Sequence, residues 1–296
     1  MRFFYLLQKL AHPVVFGAIA LLVLGLLRPS WRHGTPLLYL AAFLAAVAFG
    51  AATEIAQFLT HRDPALQDVL RDALGAATGL AALAAAAESA LATAAARPWR
   101  VGALALALAG AAIMGAPVAH GLVAYGHRDL AFPVLASFDS PLDEYFVSPI
   151  GTRGSMEPGL KRIVIPARWA RSPAERALYV PLARGPWAGI SLDEPYPDWR
   201  GRSLLCVELT NPAPAELEIG VRVHDRAHVY RYDDRFNGWW QLAGESRATL
   251  RIPVSDIEAA PRGRRMDLEH IAGVMVFLPG SPANPPALLL NRIWLE

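Results

Sequence analysis

Apolar positions follow two different rhythms along this chain. Up to about residue 127 they form long, nearly unbroken runs. Beyond it they come in short alternating stretches cut by Pro, Gly, Asn and Asp. A bilayer core takes about 20 mostly apolar residues per helix, and four stretches reach that length, predicting helices over about 8–27, 37–58, 66–96 and 101–125. The first opens with Lys9 and His12 and is clean from Pro13, and the second carries Glu54 and Gln57 near its end. The third is alanine-rich and begins with Asp68 and Asp72, and the fourth contains no charged residue. Short loops join them. A cleaved signal peptide fits the first segment poorly, because Lys9 breaks the apolar run and no small-x-small site follows Leu27.

In the second half, runs at 177–182, 203–209, 215–223, 246–252, 272–278 and 287–295 read as strands. Alternation puts Leu217, Ile219, Val221 and Val223 on one face. No amphipathic helices of 10–15 residues alternate with these runs, which disfavours a parallel α/β sheet and favours a β-sandwich. The predicted architecture is multi-domain: an all-α transmembrane four-helix bundle at 1–127, a linker at 128–136, and an all-β jelly-roll sandwich at 137–296.

Composition sharpens this division. The 296 residues are 54% hydrophobic and 18% charged, against about 25% charged in an ordinary soluble domain. Residues 1–127 hold only eight of the 28 basic and five of the 26 acidic residues, leaving 20 and 21 to the second half. A net charge of +2 gives no broad attraction to nucleic acid. The single cysteine, Cys206, excludes an intrachain disulfide framework and a cysteine-rich zinc site. No metal and no cofactor is predicted.

The few charges of the first half are the informative ones. Glu54 and Gln57 are three apart, and Asp68 and Asp72 four apart, so each pair shares a helix face. If the helices alternate in direction, both pairs lie at one membrane surface with Lys9, His12 and the loop residue Arg62. Carboxylates within a membrane helix are costly and usually pair or line a polar site. Two readings stand: a structural clasp in which Arg62 and His12 satisfy the carboxylates, or a binding or catalytic site. Gly75 and Gly79 have small-xxx-small spacing, which suits a close helix contact, either inside the bundle or between copies. Arg28, Arg32, Arg97 and Arg100 fall on one side, and that side is expected to be cytoplasmic.

Taken in order, Lys9-Leu-Ala-His12, Glu54-Ile-Ala-Gln57-Phe58, Arg62 and Asp68-Val-Leu-Arg-Asp72-Ala-Leu-Gly75-Ala resemble the VanZ-like family of small bacterial membrane proteins. The resemblance covers roughly residues 8–95. Asp72 stands where the family usually has asparagine, and Pro13 follows His12 where an aromatic or aliphatic residue is common. The resemblance implies an integral protein of the bacterial envelope, in a family named for glycopeptide (teicoplanin) resistance, with the polar cluster on the outer face. It implies no defined reaction.

The second half resembles galactose-binding-like jelly rolls, a fold shared by many carbohydrate-binding modules. The resemblance is carried by Phe138-Asp-Ser, Trp187-Ala-Gly189, Asp198-Trp-Arg-Gly201, Val223-His-Asp225, Tyr232-Asp-Asp-Arg-Phe-Asn237 and Ile252-Pro-Val-Ser-Asp-Ile257. A sugar site on such a scaffold needs flat aromatic faces beside planar polar groups. Asp225, His228, Tyr230, Tyr232, Arg235, Trp239 and Trp240 cluster around one predicted loop and supply both types. The competing reading is that they only pin that loop, with Asp234 and Arg235 as an ion pair.

Enzyme signatures are scarce: the sequence has no G-x-S-x-G, P-loop, H-E-x-x-H or C-x-x-C. The sequence therefore points to a non-catalytic protein of the bacterial inner membrane with a periplasmic sandwich. Its expected partners are the lipid bilayer and a glycan or lipid-linked envelope precursor. The alternative is a membrane-embedded enzyme acting on a lipid-linked phosphate or sugar through Glu54, Asp68 and His12.

Overall fold

A computed structural model of the chain describes residues 2–30, 35–58, 66–87, 97–151, 159–181, 187–280 and 287–296. It divides into two compact units, Met1–Leu122 and Val123–Glu296.

The first unit is helical. Its helices are α1 (Arg2–Leu27), α2 (Thr35–Phe58), α3 (Leu66–Ala87) and the larger part of α4 (Arg97–Ala131). All four are long and apolar enough to cross a membrane. At 22 to 35 residues they measure about 33–52 Å, against about 30 Å of hydrocarbon. The expected extension of the third helix over 88–96 lies outside the described residues.

Alanine predominates at the centre of this unit, with Leu24, Leu38 and Leu80 beside it. Ala20, Ala42, Ala46 and Ala76 are fully buried, while Leu22, Leu26, Leu44, Phe49 and Ile55 are mostly exposed. Small side chains let backbones approach closely, which is how helices associate where lipid offers no hydrophobic drive. Gly75 and Gly79 serve this purpose within the unit. A β-carbon on Gly75 would collide with the Pro13 carbonyl of α1, and one on Gly79 would lie 3.0 Å from the Gly17 carbonyl oxygen. The contacts advance together along both helices, so α1 and α3 run parallel.

The expected linker at 128–136 is instead structured. α4 continues to Ala131, because nothing stops it before Pro133, which lacks an N–H and disfavours helix at the preceding residue. β1 (Val134–Ala136) follows at once. The last turns of α4 are sewn into the second unit: Arg128 Nη1 donates to the Glu194 carbonyl at 3.1 Å, Tyr125 bonds the Glu194 carboxylate, and His127 Nε2 lies 3.1 Å from buried Asp143.

The second unit is a sandwich of two antiparallel sheets. Its further strands are β2 (Val147–Ile150), β3 (Lys161–Val164), β4 (Arg176–Pro181), β5 (Gly189–Asp193), β6 (Leu204–Asn211) and β7 (Leu217–Asp225). They continue with β8 (Phe236–Leu242), β9 (Ser246–Pro253), β10 (Ile271–Phe277) and β11 (Ala287–Leu295), with a short helix α5 (Val254–Ala259) after β9. The first sheet has the order β3-β4-β11-β6-β9. The second has the order β2-β5-β10-β7-β8. β11 shares one edge between two partners, β4 along Ala287–Leu290 and β1 at Ile293 and Trp294.

All six predicted runs are strands, and the alternation in β7 sends Leu217, Ile219, Val221 and Val223 into the core as expected. They meet Ile190, Leu192, Val274 and Val276 of their own sheet and Leu178, Leu205, Val207, Leu209 and Leu290 of the other. Period-2 alternation fixes both faces at once. The residues between these core positions form the outer face of the second sheet, and that face carries the candidate site.

Candidate functional site

Strand register writes this outer face as rows. In one row, Gly189 pairs with Phe277, Phe277 with Gly220, and Gly220 with Trp239. The next row runs Ser148, Ser191, Met275, Arg222 and Asn237. A third brings Asp193, Gly273 and His224 together.

Glycine makes the first row aromatic. A β-carbon on Gly220 would lie 2.6 Å from both the Phe277 and the Trp239 rings. Without one, these rings meet edge-to-face over β7, with centroids 5.6 Å apart. Trp187 joins them at 5.6 Å from Phe277 and 6.2 Å from Trp239. Trp187 is 50% exposed and Trp239 38%, so two indoles are open to solvent beside a buried phenyl ring. Trp187 has φ of 67° and Tyr230, 89% exposed, has φ of 62°. Left-handed backbone costs a non-glycine residue roughly 1–2 kcal/mol, and strain of this kind collects at functional sites.

The loop from β7 to β8 supplies the polar side. His228 Nε2 lies 2.9 Å from Arg222 Nη2, and its Nδ1 lies 3.0 Å from the Asp234 carbonyl oxygen. A guanidinium only donates, so Nε2 accepts from Arg222 and Nδ1–H donates to the carbonyl. Arg235 Nε donates to Asn237 Oδ1 at 3.0 Å, and its guanidinium sits 5.3 Å from the ring of exposed Tyr232. Ser148 and Ser191 hydroxyls donate to Asp193 at 2.8 and 2.5 Å. Burial, with Arg222 and His228 alongside, pushes His224 down to about 4. Burial and the like charge of Arg235 bring Arg222 down to about 10.

The expected group of seven residues is divided. Tyr230, Tyr232, Arg235 and Trp239 stand at this face, and His228 lies beneath it. Asp225 does not: it is 1% exposed and gripped by Arg264, with Nη1–Oδ2 at 2.5 Å and Nη2–Oδ1 at 2.9 Å, and it also accepts the Asp267 N–H. Trp240 does not either, because neighbours in a strand point to opposite faces. Its ring packs against the core beside Phe236. The expected Asp234–Arg235 ion pair is absent among the described residues. Asp234 pairs instead with Arg264 Nε at 2.5 Å, and this bond with the Val229 N–H holds its carboxyl near 2. Trp187, Phe277, Arg222, His224 and Asn237 are not among the site residues expected from the sequence, although Trp187, His224 and Asn237 fall in motifs that carry the jelly-roll resemblance. Arg222 and His224 were within reach, since they alternate with the core positions of β7, whereas Trp187 and Phe277 become neighbours only through strand order.

In the helical unit, the polar residues find different partners. His12 Nδ1 of α1 lies 3.7 Å from Asp72 Oδ1 of α3, whose side chain is almost wholly buried. A β-carbon on Gly50 of α2 would lie 3.1 Å from Asp72 Oδ2, and Glu54, one turn further along α2, is buried. Asp68 pairs with Arg71 of its own helix, and Lys9 lies 4.3 Å over the ring of Tyr5. Gln57 occupies the last turn of α2, and Arg62 lies outside the described residues. Among the described residues, no three His, Cys, Asp or Glu side chains are grouped to hold a metal.

No family model matches the chain, so the VanZ-like resemblance gains no support there. No curated protein matches either. Among solved structures, the chain is similar to a family 11 carbohydrate-binding module from Clostridium thermocellum, in complex with a β-1,3-1,4-mixed-linked tetrasaccharide. The identity is 13% and the TM-score 0.40, over 55% of this chain and 93% of that one. It is also similar to the CBM22-1 xylan-binding domain of Paenibacillus barcinonensis Xyn10C, at 15% identity and a TM-score of 0.34, over 54% and 91%. A third similarity is to an exo-β-agarase, at 10% identity and a TM-score of 0.40, over 55% of this chain and 25% of the enzyme. With TM-scores below 0.5, none of these likenesses bears on what this chain binds.

Proposed function

We propose that this protein is a membrane-anchored, non-catalytic glycan-binding protein whose sandwich holds sugar on the outer face of its second sheet. The observation that carries this reading is the exposed indole pair Trp187 and Trp239 over Phe277, flanked by the planar polar groups of Arg222, Arg235 and Asn237. Pyranose rings present C–H surface on their faces and hydroxyls at their edges, and such a surface answers both.

Membrane anchoring rests on the four apolar helices and on the packing of their unit, with mostly alanine inside and many large apolar side chains outside. The remaining assignments follow as proposals. The membrane is the bacterial inner membrane, the helices are of VanZ-like type, and the sandwich lies on the periplasmic side. His12, Asp72 and Glu54 form a polar pocket for the head of a lipid-linked precursor. Tethering the sandwich to the helices raises the effective concentration of such a glycan at that pocket.

The binding test uses the full chain in nonionic detergent against immobilised polysaccharides. An indole face covering about 50 Å² of sugar contributes about 1 kcal/mol, so Trp187→Ala or Trp239→Ala is expected to weaken binding about 5–10-fold. Retention by both variants at wild-type affinity contradicts the proposed face. For the sidedness, Ala215→Cys is labelled in cells stripped of their outer barrier. Cys206 is replaced first, although it is buried and its thiol is pushed up to about 11 by that burial. Labelling by an impermeant thiol reagent before lysis is expected; labelling only after lysis puts the sandwich in the cytoplasm.

A further inference from the structure

Among the described residues, two guanidinium groups at the candidate site have no acid to answer them. Arg222 and Arg235 approach the same end of the outer face from β7 and from the loop before β8. Among the described residues, neither has a carboxylate partner. Each spends one N–H on a neutral acceptor, Arg222 on His228 and Arg235 on Asn237. Arg222 Nε is buried without any hydrogen-bond partner, and so is His224 Nδ1 beside it.

The acids that could have balanced them are engaged elsewhere. Asp225 and Asp234 are both held by Arg264. Asp233 takes two N–H bonds from Arg231, at 3.1 and 2.8 Å. Asp193 accepts from two serine hydroxyls. Glu218 lies on the same face but four residues from Arg222 along β7, about 13 Å away at the rise of a strand.

Half-burying a charge without a partner is costly, and a second like charge at its side adds to the cost. Two arginines kept in that state, each oriented by a fixed neutral acceptor, make a receptor for an anion supplied from outside. Guanidinium N–H pairs match the oxygens of carboxylate, sulfate and phosphate in bidentate geometry. One row away stand Trp187 and Trp239, which suit a sugar ring. From this juxtaposition we infer that the glycan bound here is acidic, carrying its carboxylate, sulfate or phosphate ester between Arg222 and Arg235 while a sugar ring lies on the indoles.

This inference rests on the reading of the face as a glycan site, and the test separates the two. The full chain in nonionic detergent is titrated with uronate-, sulfate- and phosphate-bearing polysaccharides. Each is paired with its carboxyl-reduced, desulfated or dephosphorylated form. At least one acidic member is expected to bind tenfold or more tightly than its neutralised partner. Arg222→Gln and Arg235→Gln are expected to abolish that preference while weak binding of the neutral form persists, and Trp239→Ala to weaken both forms alike. Arg235→Gln carries the test if Arg222→Gln fails to fold, because its guanidinium lies at the loop and not within a strand.

Equal affinity for acidic and neutralised forms overturns the acidic ligand and leaves the glycan site standing. Absence of binding to every member of the panel overturns the glycan site itself. Equal affinity for polyglutamate, for inorganic phosphate or for vesicles of phosphatidylglycerol overturns the inference as well, by showing that charge alone is recognised.

Discussion

The outer faces of the two sheets treat arginine in opposite ways. On the first sheet, Arg247 lies between Glu175 and Glu208, and Arg171 also reaches Glu208. Glu208 is almost fully buried, and Arg247 nearly so. Hydrogen bonding from Arg247 holds the Glu175 carboxyl below the usual range, and the two glutamates raise Arg247. The charges of Arg247, Arg171, Glu175 and Glu208 answer one another within the fold, although Arg247 Nε, like Arg222 Nε, has no hydrogen-bond partner. On the second sheet, Arg222 and Arg235 face each other's charge, and among the described residues only His228 and Asn237 accept from them. An arginine that the fold pairs with an acid is part of the structure, and one that it orients without an acid is available to a ligand.

Substitution on the two faces should therefore have opposite consequences. Glu208→Ala removes one of the two acids around Arg247 and leaves it Glu175, so the loss sits at the low end of what breaking a buried pair costs, about 3 kcal/mol. Denaturant unfolding followed by tryptophan fluorescence is expected to show a loss of that size. Arg222→Met removes a half-buried charge that has no counter-ion, so the same measurement is expected to show no loss. Comparable destabilisation by both variants would erase the distinction between the faces.

Acid titration gives a smaller separation. His224 is held near 4 in the folded protein, against about 6.5 in an unfolded chain. Between these values the unfolded state takes up a proton that the folded state refuses, so stability falls as pH drops from about 6.5 to about 4 and then levels for this group. Linkage over that interval amounts to about 3 kcal/mol at most, and His224→Asn should flatten it. Asp234 acts lower down: its carboxyl is held near 2, so its contribution is present above about 4 and is lost as pH falls towards 2. A stability profile of His224→Asn that still falls between pH 6.5 and 4 as in wild type would contradict the burial assigned to this ring.

The smallest expected effect is on affinity alone. Gly220→Ala places a methyl group 2.6 Å from the Phe277 and Trp239 rings, so the rings must shift. Glycan affinity is expected to fall about tenfold with the sandwich still folded. Unchanged affinity would mean that the aromatic row is not where sugar rests.

Much of this was readable from the sequence, for identifiable reasons. Length and apolarity mark the four helices, and alternation marks β7 and its core face, because both depend on neighbours along the chain. The loop from 226 to 235 could also be located, since its aromatic and charged residues are contiguous. Pairing decisions could not be read. Asp234 sits next to Arg235 but binds Arg264, thirty residues away. Trp239 and Trp240 are adjacent, yet the pleat sends one to solvent and the other to the core. Trp187 and Phe277 reach Trp239 only through the order β5-β10-β7-β8. In the helices, spacing groups Asp68 with Asp72 but does not show the ion pair that Asp68 makes with Arg71, three residues on.

The most direct test is calorimetric titration of the detergent-solubilised full chain with an acidic polysaccharide, comparing wild type with Trp187→Ala/Trp239→Ala. Saturable heat from the wild type and its loss in a double variant that still unfolds cooperatively is the predicted result. A double variant that titrates as the wild type does, or a wild type that gives no heat with any acidic or neutral glycan, would contradict the account.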